Sequence, residues 1–142
     1  MPGLQRTVTV AARPERVWEI VADVERWPER IPTVEAVQRL DDGPLAVGSR
    51  TRLRQPRLPE EVWTVTDLVD GSSFTWESRS SGVTVTATHL VAPHPVGSLL
   101  TLSLTVSGAM AWLGWFMTRS LTTRYVETEA ASIQRAAEAT MP

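Results

Sequence analysis

Leu99-Leu100-Thr101-Leu102-Ser103-Leu104-Thr105-Val106-Ser107-Gly108-Ala109-Met110-Ala111-Trp112-Leu113-Gly114-Trp115-Phe116-Met117 contains the change of period on which the fold turns. Up to Ser107 the residues alternate, Leu100, Leu102, Leu104 and Val106 against Thr101, Ser103 and Thr105, which is a strand with one buried and one wet face. Beyond Gly108 the alternation stops. From there to about Glu138 the chain has no proline and one internal glycine, Gly114, and reads as a single helix over about 109–139. At 1.5 Å per residue it would be ~45 Å long, enough to cross a whole domain. Its second half keeps one apolar stripe, Val126, Ala130, Ile133 and Ala137. Its first half is apolar all round, so that two sides call for burial there: one through Trp112 and Trp115, one through Leu113, Met117, Leu121 and Tyr125.

Upstream of this helix the period is two almost throughout. Candidate strands are Val34–Leu40, Ser49–Gln55, Glu61–Val69, Ser73–Ser80, Val83–Val91 and Leu99–Ser107, within a β region of about 33–107. Turn signals separate them: Asp41-Asp42-Gly43-Pro44, Pro56 to Pro59, Asp70-Gly71, Ser81-Gly82 and Pro93 to Gly97. Arg50, Arg52 and Arg54 mark an outward face, which leaves Thr51, Leu53 and Gln55 inward. A first strand, about 4–11, precedes Pro14, which suits the opening of a helix. Val17, Trp18, Ile20, Val21 and Val24 recur at helical spacing, and Pro28 and Pro32 limit the helical pair to about 14–31.

A strand, two short helices, six consecutive strands and a long helix make one α+β domain over 1–142, with a seven-stranded curved antiparallel sheet around the closing helix. Strong twist over seven strands prevents a tight seal, and the gap is the natural place for a ligand. The rest of the composition agrees with a packed domain. Of 142 residues 42% are apolar and 21% charged, with a net charge of −2, so there is no broad positive field to attract nucleic acid. There is no cysteine and no lysine, which removes disulfides, thiolate chemistry and Schiff-base catalysis. The first residues lack the apolar core of a signal sequence, and no apolar run approaches the ~20 residues of a membrane span. The expectation is a soluble cytoplasmic protein.

Ala12-Arg13-Pro14-Glu15-Arg16-Val17-Trp18-Glu19-Ile20-Val21-Ala22-Asp23-Val24-Glu25-Arg26-Trp27-Pro28 resembles the opening of the START-related, birch-allergen-like superfamily (SRPBCC), in its polyketide cyclase/dehydrase branch. The likeness runs the length of the chain. It continues in Gly48-Ser49-Arg50, Trp63-Thr64-Val65-Thr66, Phe74-Thr75-Trp76-Glu77-Ser78 and the long closing helix. The resemblance implies a helix-grip fold with a hydrophobic internal cavity, used across the superfamily to carry lipids, sterols, quinones and hormones or to fold and dehydrate polyketides. It does not choose between carrier and enzyme.

Candidate site residues follow from sheet parity and helix face. His89 shares parity with Val83, Val85 and Ala87; it is either a cavity acid or base or a hydrogen-bonded sheet-face histidine. Arg119 interrupts the helical stripe and either anchors a ligand's polar head, reaches solvent or pairs with a sheet carboxylate. Tyr125, the sole tyrosine, either offers its hydroxyl to the cavity or fills core. Trp63, Phe74, Trp76, Trp112 and Trp115 make up the remaining candidate lining. Trp18 is expected in the core and Trp27 at a mouth or rim. The loop from Gln55 to Glu61 is either a gate or a plain connection. His94 reads as a turn residue, and two histidines with no nearby carboxylate at ligand spacing give no metal site. No cofactor is implied. The expected partner is an apolar small molecule, held without nucleic acid or a membrane span, by a monomer or a homodimer. Two alternatives stand beside it: a polyketide aromatase/cyclase or dehydratase working in the same cavity, with His89, Arg119 and Tyr125 as its catalytic candidates, and a partner-binding module using the apolar start of the closing helix.

Overall fold

The computed structural model describes residues 2–139. Strand β1 (Gly3–Val10) leads through Arg13 into α1 (Pro14–Ala22), a 3₁₀ turn (Val24–Arg26) and α2 (Trp27–Arg30). Six strands follow: β2 (Ala36–Arg39), β3 (Arg50–Arg54), β4 (Glu61–Val69), β5 (Ser73–Ser80), β6 (Val83–His94) and β7 (Gly97–Ser107). Helix α3 (Ala111–Glu138) closes the fold. The strands form one seven-stranded antiparallel sheet in the order β1-β7-β6-β5-β4-β3-β2. β2 through β7 form a meander, and β1 pairs back onto β7 from Gly3 opposite Thr105 to Val10 opposite Ser98.

β1 and β2 are neighbours in sequence and lie at opposite edges, six inter-strand spacings or roughly 29 Å apart. The α1–α2 segment must span that distance, and in doing so it closes one end of the curved sheet. Val17, Ile20, Val21, Val24, Trp27 and Ile31 are all buried there, so this end is sealed with apolar packing.

Three polar contacts hold α3 along the opposite edge. Arg6 Nε meets Glu127 Oε2 at 3.0 Å, Gln134 Nε2 donates to the Thr9 carbonyl at 2.8 Å, and the Ala11 amide donates to Glu138 Oε2 at 2.8 Å. Two of them satisfy backbone groups at the exposed edge of β1 and its extension, groups that would otherwise invite another strand. Behind them Ala130, Ile133 and Ala137 are buried, small enough at two of three positions for close approach. α3 therefore packs chiefly on β1 and β7 and stands away from β3, β4 and β5.

Two expectations are corrected. β6 continues through Pro93 to His94, paired with Ser98 and Gly97, so the hairpin turn is shorter than the proline pair suggested. Past Val91 β7 is its only partner in the sheet, and a proline there costs no ladder bond on the open side. The first half of α3 buries one side and not two. Trp112, Phe116 and Met117 are 68%, 69% and 74% exposed, because a two-layer fold offers this helix a single covering layer.

The β6–β7 hairpin meets the β1–α1 corner at Gly97, whose φ is 146°. A Cβ at Gly97 would stand 2.6 Å from the Ala12 carbonyl oxygen and 2.7 Å from that of Val10, both backbone atoms. Ser98 Oγ donates to the same Ala12 carbonyl at 2.6 Å. Gly71 also has positive φ but faces open space. Gly71→Ala should thus cost about 1–2 kcal/mol in urea unfolding, and Gly97→Ala about 3 kcal/mol or more; equal losses would show that the corner does not constrain the hairpin.

Candidate functional site

Where α3 stands off the sheet, a cavity of about 290 Å³ remains. The sheet contributes Leu53, Trp63, Trp76, Val85, Ala87, Leu102, Leu104 and Val106, all on the concave face by strand parity. α3 contributes Gly114, Trp115, Thr118, Thr122, Val126 and Glu129, a single helical side at three- and four-residue spacing. Trp27 from α2 forms part of the wall at the sealed end. Gln55, Leu58 and Pro59 of the β3–β4 loop line the other end.

The deep wall is an aromatic stack built by register. Phe74 on β5 sits opposite His89 on β6, and the two rings stack with centroids 4.2 Å apart and planes 7° apart. Trp76 packs edge-on against Phe74 (5.1 Å) and Trp27 (5.4 Å) and lies beside Trp63 (5.6 Å). Phe74 is fully buried behind the cavity and Trp76 almost so.

Polar groups enter this wall at three places. His89 Nε2 lies 3.1 Å from Glu129 Oε2, joining β6 to α3, with the His89 side chain 4% exposed and that of Glu129 17%. An imidazole that donates from Nε2 to a carboxylate leaves Nδ1 as an acceptor when neutral. Nδ1 of His89 is buried with no hydrogen-bond partner, as is Nε1 of Trp27. Ser78 Oγ donates to Glu61 Oε2 at 2.7 Å between β5 and β4. Finally, the Tyr125 hydroxyl donates to the Pro56 carbonyl and ties the β3–β4 loop to α3.

Of the candidate residues, Trp63, Trp76, His89, Trp115 and Tyr125 meet at this cavity, with Phe74 supporting His89 from behind. Trp112 and Arg119 do not. Trp112 projects to solvent, and the Arg119 guanidinium lies outside the cavity, 5.6 Å from the Phe116 ring centroid. Both sit on the side of α3 that the sheet never covers. Trp27 is 1% exposed and fully interior, which corrects its expected rim position. The expected lack of a carboxylate near the histidines is also corrected: Glu129 is remote in sequence and adjacent in space. It lies three residues after Val126 and four before Ile133, at the border of the apolar stripe, and that position was the available signal. Glu61 and Ser78 were missed although they share strand parity with Trp63 and Trp76, and that shared parity was the available signal. Among the described residues no group of three or more His, Cys, Asp or Glu side chains could hold a metal ion, and no helix is long and apolar enough to cross a membrane.

Comparison with known proteins joins this geometry to a family. The family model described as polyketide cyclase/dehydrase and lipid transport matches residues 1–138. The chain belongs to that family. Among solved structures, the ZhuI aromatase/cyclase from Streptomyces sp. R1128 superposes with a TM-score of 0.75 at 19% identity, covering 96% of this chain and 93% of its own. The di-domain aromatase/cyclase BexL of the BE-7585A biosynthetic pathway gives a TM-score of 0.77 at 16% identity, with 99% of this chain on 51% of that one. TTHA0849 from Thermus thermophilus gives 0.76 at 17% identity, covering 96% of this chain and 97% of its own. At these identities the likeness establishes the fold. No curated protein sequence matches significantly.

In this member of the polyketide cyclase/dehydrase and lipid transport family, the His89–Glu129 contact is, among the described residues, the one polar link joining the sheet's deep wall to α3 across the cavity. A double-mutant cycle with His89→Ala and Glu129→Ala, read by urea unfolding, should give a coupling of about 1–2 kcal/mol. Additive losses would mean that the two side chains are neighbours without interaction.

Proposed function

We propose that this protein binds a hydrophobic small molecule, a compact polycycle or a medium-length acyl chain, between the sheet and α3. One observation carries the reading: a cavity of about 290 Å³ between sheet and helix whose wall includes four indoles, Trp27, Trp63, Trp76 and Trp115, among aliphatic side chains. That volume is at the lower end of the ~300–1,000 Å³ typical of small-molecule pockets, which favours two or three fused rings over a long lipid. Each 100 Å² of apolar guest surface removed from water contributes about 2.5 kcal/mol before the costs of association. The family's description, which includes lipid transport, supports this reading.

Calorimetric titration with 2-naphthylmethanol and 1-dodecanol tests it. The expected result is saturable binding at micromolar Kd, weakened at least ~10-fold by Ala87→Phe, which fills the space between Trp76 and Leu104 with a ring. No heat of binding from either compound, with folded protein in the cell, would remove the proposal.

A second reading rests on the His89–Glu129 contact. In it the cavity acts on a poly-β-keto chain. The Glu129 carboxylate, with His89 behind it, takes a proton from a methylene between two carbonyls. The carbanion attacks a carbonyl carbon of the same chain, the alkoxide regains the proton, and loss of water completes the ring. Incubation with a linear poly-β-keto thioester analogue separates the two readings. Turnover abolished by Glu129→Gln and by His89→Ala supports the enzyme; binding without turnover by the unmodified protein leaves the carrier.

A further inference from the structure

The ionisable side chains on the cavity wall are Glu61, His89, Tyr125 and Glu129. The Tyr125 hydroxyl is engaged by the Pro56 carbonyl, and His89 faces Glu129. No arginine is among the lining residues, and the chain contains no lysine. Three arginines on nearby elements are turned elsewhere: Arg52 pairs with Glu60 at 3.2 Å, Arg79 with Glu77 at 3.0 Å, and Arg119 lies on the outer side of α3. The wall thus carries two carboxylates against, at most, one positive charge, that of a doubly protonated His89. Each carboxylate also has an oxygen to spare. Glu61 uses Oε2 toward Ser78 and Glu129 uses Oε2 toward His89, while neither Oε1 has a hydrogen-bond partner among the described residues. The same wall includes the four indoles, whose π-faces carry negative potential.

An anionic guest in this enclosure would meet carboxylates and indole faces with no arginine or lysine to receive it, at an effective dielectric well below that of water. A cationic head would meet complementary groups of both kinds. We infer that the cavity selects by charge: Glu61, Glu129 and the surrounding indoles make it a site for a hydrophobic amine, an ammonium group on an apolar body, in preference to the neutral isostere and against the carboxylate. This rests on the reading of the cavity as a small-molecule site and narrows the class of molecule it takes.

Three isosteres separate the possibilities: 2-naphthylmethylammonium, 2-naphthylmethanol and 2-naphthoate, titrated into the same protein at neutral pH and low salt by calorimetry. The ammonium should bind ~10-fold more tightly than the alcohol and ~100-fold more tightly than the carboxylate. In the Glu61→Gln/Glu129→Gln double variant the ratio of ammonium to alcohol affinity should fall toward one. Alcohol binding as tightly as the ammonium, or a ratio unchanged in the double variant, overturns the charge selection while leaving the cavity a binding site. Failure of all three to bind the unmodified protein overturns both. Because the three guests are compared on one protein, the main result does not depend on whether the variant folds.

Discussion

The attachment of α3 to β1 decides the rest of the molecule. Arg6, the Thr9 carbonyl and the Ala11 amide lie along one edge of the sheet, and Glu127, Gln134 and Glu138 reach them from α3 at spacings of seven and four residues. Those spacings bring the three side chains to the same side of the helix. With its second half fixed over β1 and β7, a straight helix cannot also settle into the middle of a strongly curved sheet. Its first half crosses the concave face at a distance, and side chains from the two surfaces do not fill the space between them. The cavity is therefore a consequence of where the helix is held, and the composition of its wall is a separate matter.

That composition follows from register. Antiparallel pairing places Phe74 opposite His89 and Trp76 opposite Ala87, so one large aromatic faces an imidazole and the next faces a methyl group. The Phe74–His89 stack and the Trp27–Trp76 edge contact fill the sealed end, while small Ala87 leaves the adjoining volume open. A histidine in such a place has one ring face covered by Phe74 and few polar groups within reach. Glu129 comes from the opposite layer and meets it. The same pairing that engages Nε2 of His89 carries a carboxylate into a largely apolar chamber.

The sequence makes some of this legible and hides the rest for identifiable reasons. Strand alternation, with a clear turn at both ends, locates the bounds of β4 and β5, although a bulge between Val65 and Asp67 breaks the pattern within β4. It also orients the arginines of β3, with Thr51 and Leu53 buried between Arg50, Arg52 and Arg54. The resemblance in the Ala12–Pro28 stretch carries the helix-grip architecture. Periodicity is weaker at the site. On α3 it groups residues only coarsely and does not say which side the sheet covers; Trp112 and Trp115, both assigned to one stripe, separate into an exposed and a cavity-lining residue. Trp27 lies just before Pro28, past the 3₁₀ turn that ends the period of α1, so its depth depends on where α2 docks. Glu129 is the instructive omission. A carboxylate at the margin of an apolar stripe reads as the start of the polar face until a histidine from another layer is found opposite.

The two ends of the cavity are held by unlike forces. At the α1–α2 end, Val17, Ile20, Val21, Val24, Trp27 and Ile31 are buried together, so opening there would expose a large part of the apolar core, at about 1.5–3 kcal/mol for each such side chain. At the other end Leu58 and Pro59 close the space from a loop tethered to α3 by the hydroxyl of Tyr125. Arg57 in that loop has φ 67°, a left-handed conformation that a non-glycine residue adopts at some cost. Releasing one side-chain hydrogen bond and relaxing that residue costs far less than lifting α1 and α2 from the sheet. The β3–β4 loop is therefore the end of the cavity with the weaker hold, and Tyr125, a residue of the helix that forms the cavity, supplies its side-chain tether to α3.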